Sequence, residues 1–85
     1  MAEQNYIRNK AGAIMIGKWE KHDKEFVVSL KTNRPSAALV GGAIYAESKA
    51  GKKELVWIDS VIEFQDFGVG DRWAVLRVTR KPTAG

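Results

Sequence analysis

Apolar and polar residues alternate with period two along most of this chain, the signature of strands that bury one face. The first clear stretch runs from Gly12 to Lys31, where GAIMIGKWE and EFVVSLK flank the polar turn Lys21-His22-Asp23-Lys24. Pairing across that turn sets Trp19 against Phe26, Gly17 against Val28 and Met15 against Leu30. These six positions form an apolar side. Ile14, Ile16, Lys18, Val27, Ser29 and Lys31 form the half-exposed other side. Gly17 leaves room on the core side, for an indole or for strong coiling of the strand.

Thr32-Asn33-Arg34-Pro35-Ser36 has turn chemistry. The following SAALVGGAIYAES admits two readings. Its alanines and Pro35 suit a short helix within 36–47. Gly41-Gly42 in its middle costs such a helix about 1 kcal/mol per glycine. A strand kinked at that glycine pair is favoured, through Leu39-Val40 and then Ala43 to Ala46. Lys49-Ala50-Gly51-Lys52 suits a hairpin loop with Gly51 left-handed. It joins Ile44-Tyr45 to Leu55–Ile58.

The longest apolar stretch is LVWIDSVIEFQDF, which turns at Gly68-Val69-Gly70-Asp71 and returns as RWAVLRVTR. Leu55, Trp57 and Val61 share one parity. Val56, Ile58, Ile62 and Phe64 share the other. Asp59-Ser60 interrupts the run and predicts a bend or bulge that exchanges the faces. The returning strand carries Ala74, Leu76 and Val78 on one side, with Trp73, Val75, Arg77 and Thr79 on the other. Residues 1–10 read as an arm or edge strand, and 81–85 as a tail stopped by Pro82. The sum is an all-β fold: a small, strongly coiled, five-stranded antiparallel sheet or barrel of OB or SH3-like type, with one short helix at 36–47 as the alternative.

Length and composition narrow the class. Eighty-five residues make a single domain, 1–85, that buries about 60–65% of its unfolded surface, so its own core gives marginal stability. There is no cysteine to supplement it, and self-association, as a homodimer, is the expected route to further burial. The polar MAEQNYIRNKAG start has no signal-peptide core, and no apolar run reaches the ~20 residues of a membrane span. A soluble, cytoplasmic protein is the expectation.

The formal charge is +4, unevenly spread. Glu54 to Asp71 holds five acids and no base, and Arg72 onward holds four bases and no acid. That boundary implies either cross-strand pairing on a solvated face or a basic surface that meets phosphate. Catalytic chemistry is poorly served. His22, the one histidine, sits in a polar turn without an oriented partner, and no Cys/His cluster exists for zinc. Glu54, Asp59, Glu63, Asp66 and Asp71 lack the dense spacing of a calcium loop. Phe67-Gly68-Val69-Gly70-Asp71 holds GxG between two strands, which is the wrong context for a dinucleotide turn. No enzyme, cofactor or metal is therefore expected.

Aromatics interleaved with bases remain, the combination by which single-strand binders track a backbone and stack on bases. The candidates are Lys18, Lys31, Arg34, Lys52, Lys53, Arg77 and Arg80 for phosphate, and Trp73 or Tyr45 for stacking. Trp19 and Trp57 are expected in the core. In its length, its strand pattern and a last strand running into a basic-proline tail, FGVGDRWAVLRVTRKP resembles the small OB-fold single-strand binders of filamentous phages. That resemblance implies a nucleic-acid role and assigns no residue. The leading expectation is a non-catalytic binding module for nucleic acid, single-stranded or structured. Its rival is a protein-interaction module or inhibitor from a phage or mobile element, acting through an exposed strand edge or apolar patch. An enzyme or small-ligand binder, with a site formed at an oligomer interface, is the third.

Overall fold

Five strands close on themselves in the computed structural model, which describes residues 5–20 and 26–81. They are β1 (Ile16–Trp19), β2 (Val27–Lys31), β3 (Ala43–Glu47), β4 (Lys53–Asp66) and β5 (Arg72–Thr79), with one helical turn, α1 (Ser36–Leu39), between β2 and β3. The barrel order is β1-β2-β5-β4-β3. The expected turn at 21–24, with His22, and the end of the tail lie outside the described residues.

The period-two pattern explains the core. Val28 and Leu30, Ile44 and Ala46, Val56 and Ile58, and Ala74, Leu76 and Val78 recur at i, i+2 on their strands and meet in one buried cluster. Small residues let so short a barrel close. A Cβ on Gly17 would come within 2.5 Å of Val28 Cγ1 and 2.8 Å of the Ser29 carbonyl oxygen. The strands are thus in contact where the sequence suggested spare room.

β4 changes face twice. Opposite β5, Ile58 meets Val78, Ser60 meets Arg77, Val61 meets Leu76, Glu63 meets Val75 and Phe64 meets Ala74. Asp59 and Ile62 are each an extra residue in this ladder. Each resets the alternation, so Val61 and Phe64 fall in phase with Ile58. The bulge expected at Asp59-Ser60 is present, and a second follows at Ile62.

Three details differ from the sequence reading. Trp19 sits opposite Val28, and Lys18 opposite Ser29, a shift of two residues that keeps the parity of the strands; Phe26, expected on the apolar side facing Trp19, instead sits at the turn with φ +52° and is 36% exposed. One pairing is parallel, β1 with β3, through Ile16–Tyr45 and Lys18–Glu47. The cause lies in 36–47, which is neither all helix nor all strand. Pro35 (φ −74°) leads into α1, whose Leu39 is fully buried, and the Val40 N–H donates to the Ser36 carbonyl. This turn crosses the barrel end, so β3 starts beside β1 and runs in the same direction. The kink at Gly41-Gly42 is held from β4, where Gly41 N–H reaches the Ile58 carbonyl at 2.8 Å.

The N-terminal segment folds back on the body. Ile7 is buried in the core; its N–H donates to the Ala43 carbonyl, and its own carbonyl accepts from Met15. The Gly51 turn forms as expected, with φ +84° and Ser48–Lys52 closing it. Among the described residues no helix is long and apolar enough to cross a membrane.

Candidate nucleic-acid interface

At the end of β2 the chain leaves the barrel through a turn, and the start of β5 lies beside it. The Thr32 N–H donates to the Arg72 carbonyl at 3.0 Å, and Arg72 Nη1 donates back to the carbonyls of Thr32 (3.3 Å) and Arg34 (3.0 Å). Thr32 is buried, and its Oγ1 accepts from the Arg34 N–H at 3.1 Å. The Arg34 guanidinium in turn donates to the Arg8 carbonyl, tying the turn to the folded-back arm. Two arginines are thus fixed by backbone acceptors, which neutralise none of their charge.

These residues line a concave mouth of about 320 Å³, together with Asn9, Lys10, Met15, Lys31, Asn33 and Gly70. Four bases therefore converge, Lys10, Lys31, Arg34 and Arg72, and no carboxylate lines the mouth among the described residues. Arg72 also lies over Phe64, 3.8 Å from the ring centroid. With Nη1 donating to the two carbonyls, the other guanidinium N–H groups are the ones that can meet a further oxygen acceptor.

Of the residues expected to bind, Lys31 and Arg34 belong to this mouth. Trp73 stands next to it, opposite Lys31 across β2 and β5. It is half-buried, and its indole N–H donates to Asp71 at 2.7 Å, which fixes the ring. The others lie elsewhere. Lys18 is at the far end of β1, where it joins Trp19, Glu20, Glu47, Ser48 and Lys49 in lining a second concave space of about 520 Å³. Glu47 faces Lys18 on one side and Lys53 on the other, which balances that region. Lys52 is exposed at the Gly51 turn. Tyr45 is half-buried between Ile16 and Leu55. Arg77 is exposed, flanked by Val27 and Ser60. Arg80 pairs with Glu54 at 2.5 Å and lies over Phe26 and Trp19, 5.0 and 5.9 Å from their centroids. The nine positions thus form no single stripe.

Lys10 and Arg72 are mouth residues that the sequence reading did not choose. Arg72 carried a usable signal: it shares parity with Ala74, Leu76 and Val78, so a base begins the core side of a strand, where only a barrel mouth can accept it. Lys10 carried none, because its position depends on the arm folding back.

Among the described residues no group of three or more His, Asp or Glu side chains is placed to hold a metal ion. Compared with protein-family models, curated proteins and solved structures, the chain matches none.

Proposed function

We propose that this protein is a non-catalytic, cytoplasmic module that binds nucleic acid, single-stranded or structured, through the basic mouth. One observation carries the reading: among the described residues four bases and no carboxylate line a concave space, and two of the bases are arginines oriented by backbone carbonyls. Fixed guanidinium edges suit phosphate oxygens, and a positive concavity attracts a polyanion from a distance. Trp73, held beside Lys31, would supply the ring on which a base next to the bound phosphate stacks.

The test is oligonucleotide binding by fluorescence anisotropy across a salt series. Four phosphate contacts to a single strand predict that log K falls with log salt at a slope of roughly −3. Lys31→Glu with Lys10→Glu should abolish binding, while Lys52→Glu should leave it nearly unchanged. No binding at low salt, or equal losses for the two sets, sinks the proposal.

A protein-interaction role draws support from a different place. The distal part of β4 pairs only with β5, and Ile62, Phe67 and Val69 are exposed on that hairpin.

A further inference from the structure

The β4–β5 hairpin ends in a tip that has apolar side chains and no core. Phe67 is 66% exposed and Val69 fully so. The tip is nevertheless well built. Phe67 N–H donates to the Asp71 carbonyl at 2.9 Å, Asp71 N–H to the Gly68 carbonyl at 3.0 Å, and Gly68 N–H to Asp66 Oδ1 at 3.2 Å. A fixed turn that presents a phenyl ring and an isopropyl group to water is shaped to enter something.

Its flank is acidic. Glu63 and Asp66 are exposed on the last part of β4, and no base lies between Glu54 and Asp71. A phosphate backbone is therefore a poor occupant for this finger, and a concave surface rimmed by bases is a good one. The chain itself carries such a surface. Gly70 is part of the basic mouth, so finger and mouth adjoin on one side of the molecule. A patch with an acidic, apolar projection next to a basic concavity is complementary to its own copy under two-fold rotation, since each finger then meets the other's mouth.

We propose that this protein forms a two-fold homodimer in which the Phe67–Val69 tip of each copy enters the Lys10/Lys31/Arg34/Arg72 mouth of the other. The inference does not depend on nucleic-acid binding. If both hold, a polyanion and the second copy compete for one mouth, and the ligand shifts dimer to monomer.

Sedimentation velocity without nucleic acid tests it, from micromolar to millimolar protein at low and high salt. One variant makes the finger basic, Glu63→Lys with Gln65→Lys, two neighbours on one face of β4 just before the tip. A second makes the mouth net acidic, Lys10→Glu and Lys31→Glu with Asn33→Glu, so that three acids outweigh Arg34 and Arg72. Each alone sets like charge against like and should sediment as a monomer where the natural chain is a dimer. Mixed one to one, both contacts regain opposite charges, and the dimer should return. Val69→Ser, which removes the apolar group without adding charge, should weaken the dimer without changing the circular dichroism of the fold. A natural chain that stays monomeric at millimolar concentration overturns the proposal. So does a dimer indifferent to these charges, or a mixture that stays monomeric.

Discussion

Arg72 and Phe64 sit diagonally across β4 and β5, and the guanidinium lies 3.8 Å from the ring centroid. The two bulges, at Asp59 and Ile62, cancel in parity, so Phe64 stays on the side that Ile58 and Arg72 share and is only moved along β5, from opposite Arg72 to opposite Ala74. Phe64 thereby supports the one arginine that bridges the Thr32 and Arg34 carbonyls. Phe64→Leu keeps apolar bulk and loses the ring, and should cost about 0.5–1 kcal/mol. Arg72→Lys keeps the charge but cannot span both carbonyls in the same planar geometry. A double-mutant cycle by urea denaturation should give a coupling of about 0.5–1 kcal/mol between the two sites. Additive losses would show that the ring and the guanidinium do not interact. If the mouth binds oligonucleotides, Phe64→Leu should also weaken that binding with the net charge unchanged.

Arg80 and Glu54 form a close ion pair, yet their side chains are 58% and 39% exposed. Exposed pairs contribute about 0–1 kcal/mol, and salt screens them. Glu54→Gln should therefore shift stability by less than about 1 kcal/mol. Arg80→Ala should cost more than Glu54→Gln, because the Arg80 side chain also covers Phe26 and Trp19. Thermal melts in low and high salt would separate the two contributions: the excess loss in Arg80→Ala should persist at high salt. Equal losses for both variants would leave the charge pair as the whole effect.

Much of this barrel was legible because period two survives almost every uncertainty of detail. The β1–β2 register was two residues out, and Met15, Trp19, Val28 and Leu30 still face inward, since a shift of two preserves parity. The first bulge was legible because the polar Asp59-Ser60 breaks an apolar run. The second was hidden because its extra residue, Ile62, is as apolar as its neighbours. Parallel pairing of β1 with β3 depends on one turn of helix at 36–39, too short for any periodicity to register. The candidate site was half legible for a similar reason. Lys31 and Arg34 stand out on a strand end and a turn. Lys10 joins them only through the fold-back of the arm, which local pattern does not encode.

Val61 and Ile62 put the first bulge to a direct test. Counting parity along an unbroken strand groups Ile62 with the core residues Val56 and Ile58 and sets Val61 outside. The structure reverses this: Val61 packs against the core, whereas Ile62 is 46% exposed. Val61→Thr should cost about 1–2 kcal/mol, for a hydroxyl set against apolar neighbours. Ile62→Thr should stay within about 0.5 kcal/mol, as surface changes usually do. Denaturation midpoints in the opposite order would place the bulge elsewhere.

Gly42 and Ile7 show how the arm is locked to the barrel. A Cβ built on Gly42 would lie 2.5 Å from Ile7 Cδ1 and 2.6 Å from its Cγ1, with the Leu39 carbonyl oxygen at 3.1 Å. Ile7 is itself buried in the core and cannot swing clear without opening a void. Gly42→Ala should therefore destabilise by about 1–3 kcal/mol through overpacking. Ile7→Ala should cost about 2–5 kcal/mol through a cavity. Together they should cost clearly less than the sum, because the new methyl group occupies part of the space the isoleucine vacates. Urea denaturation of the two single variants and the double measures this. Strict additivity would mean that the arm does not rest on Gly42. Partial compensation would place the first described residues inside the cooperative fold, and the basic mouth that Lys10 completes would then melt with the barrel as one unit.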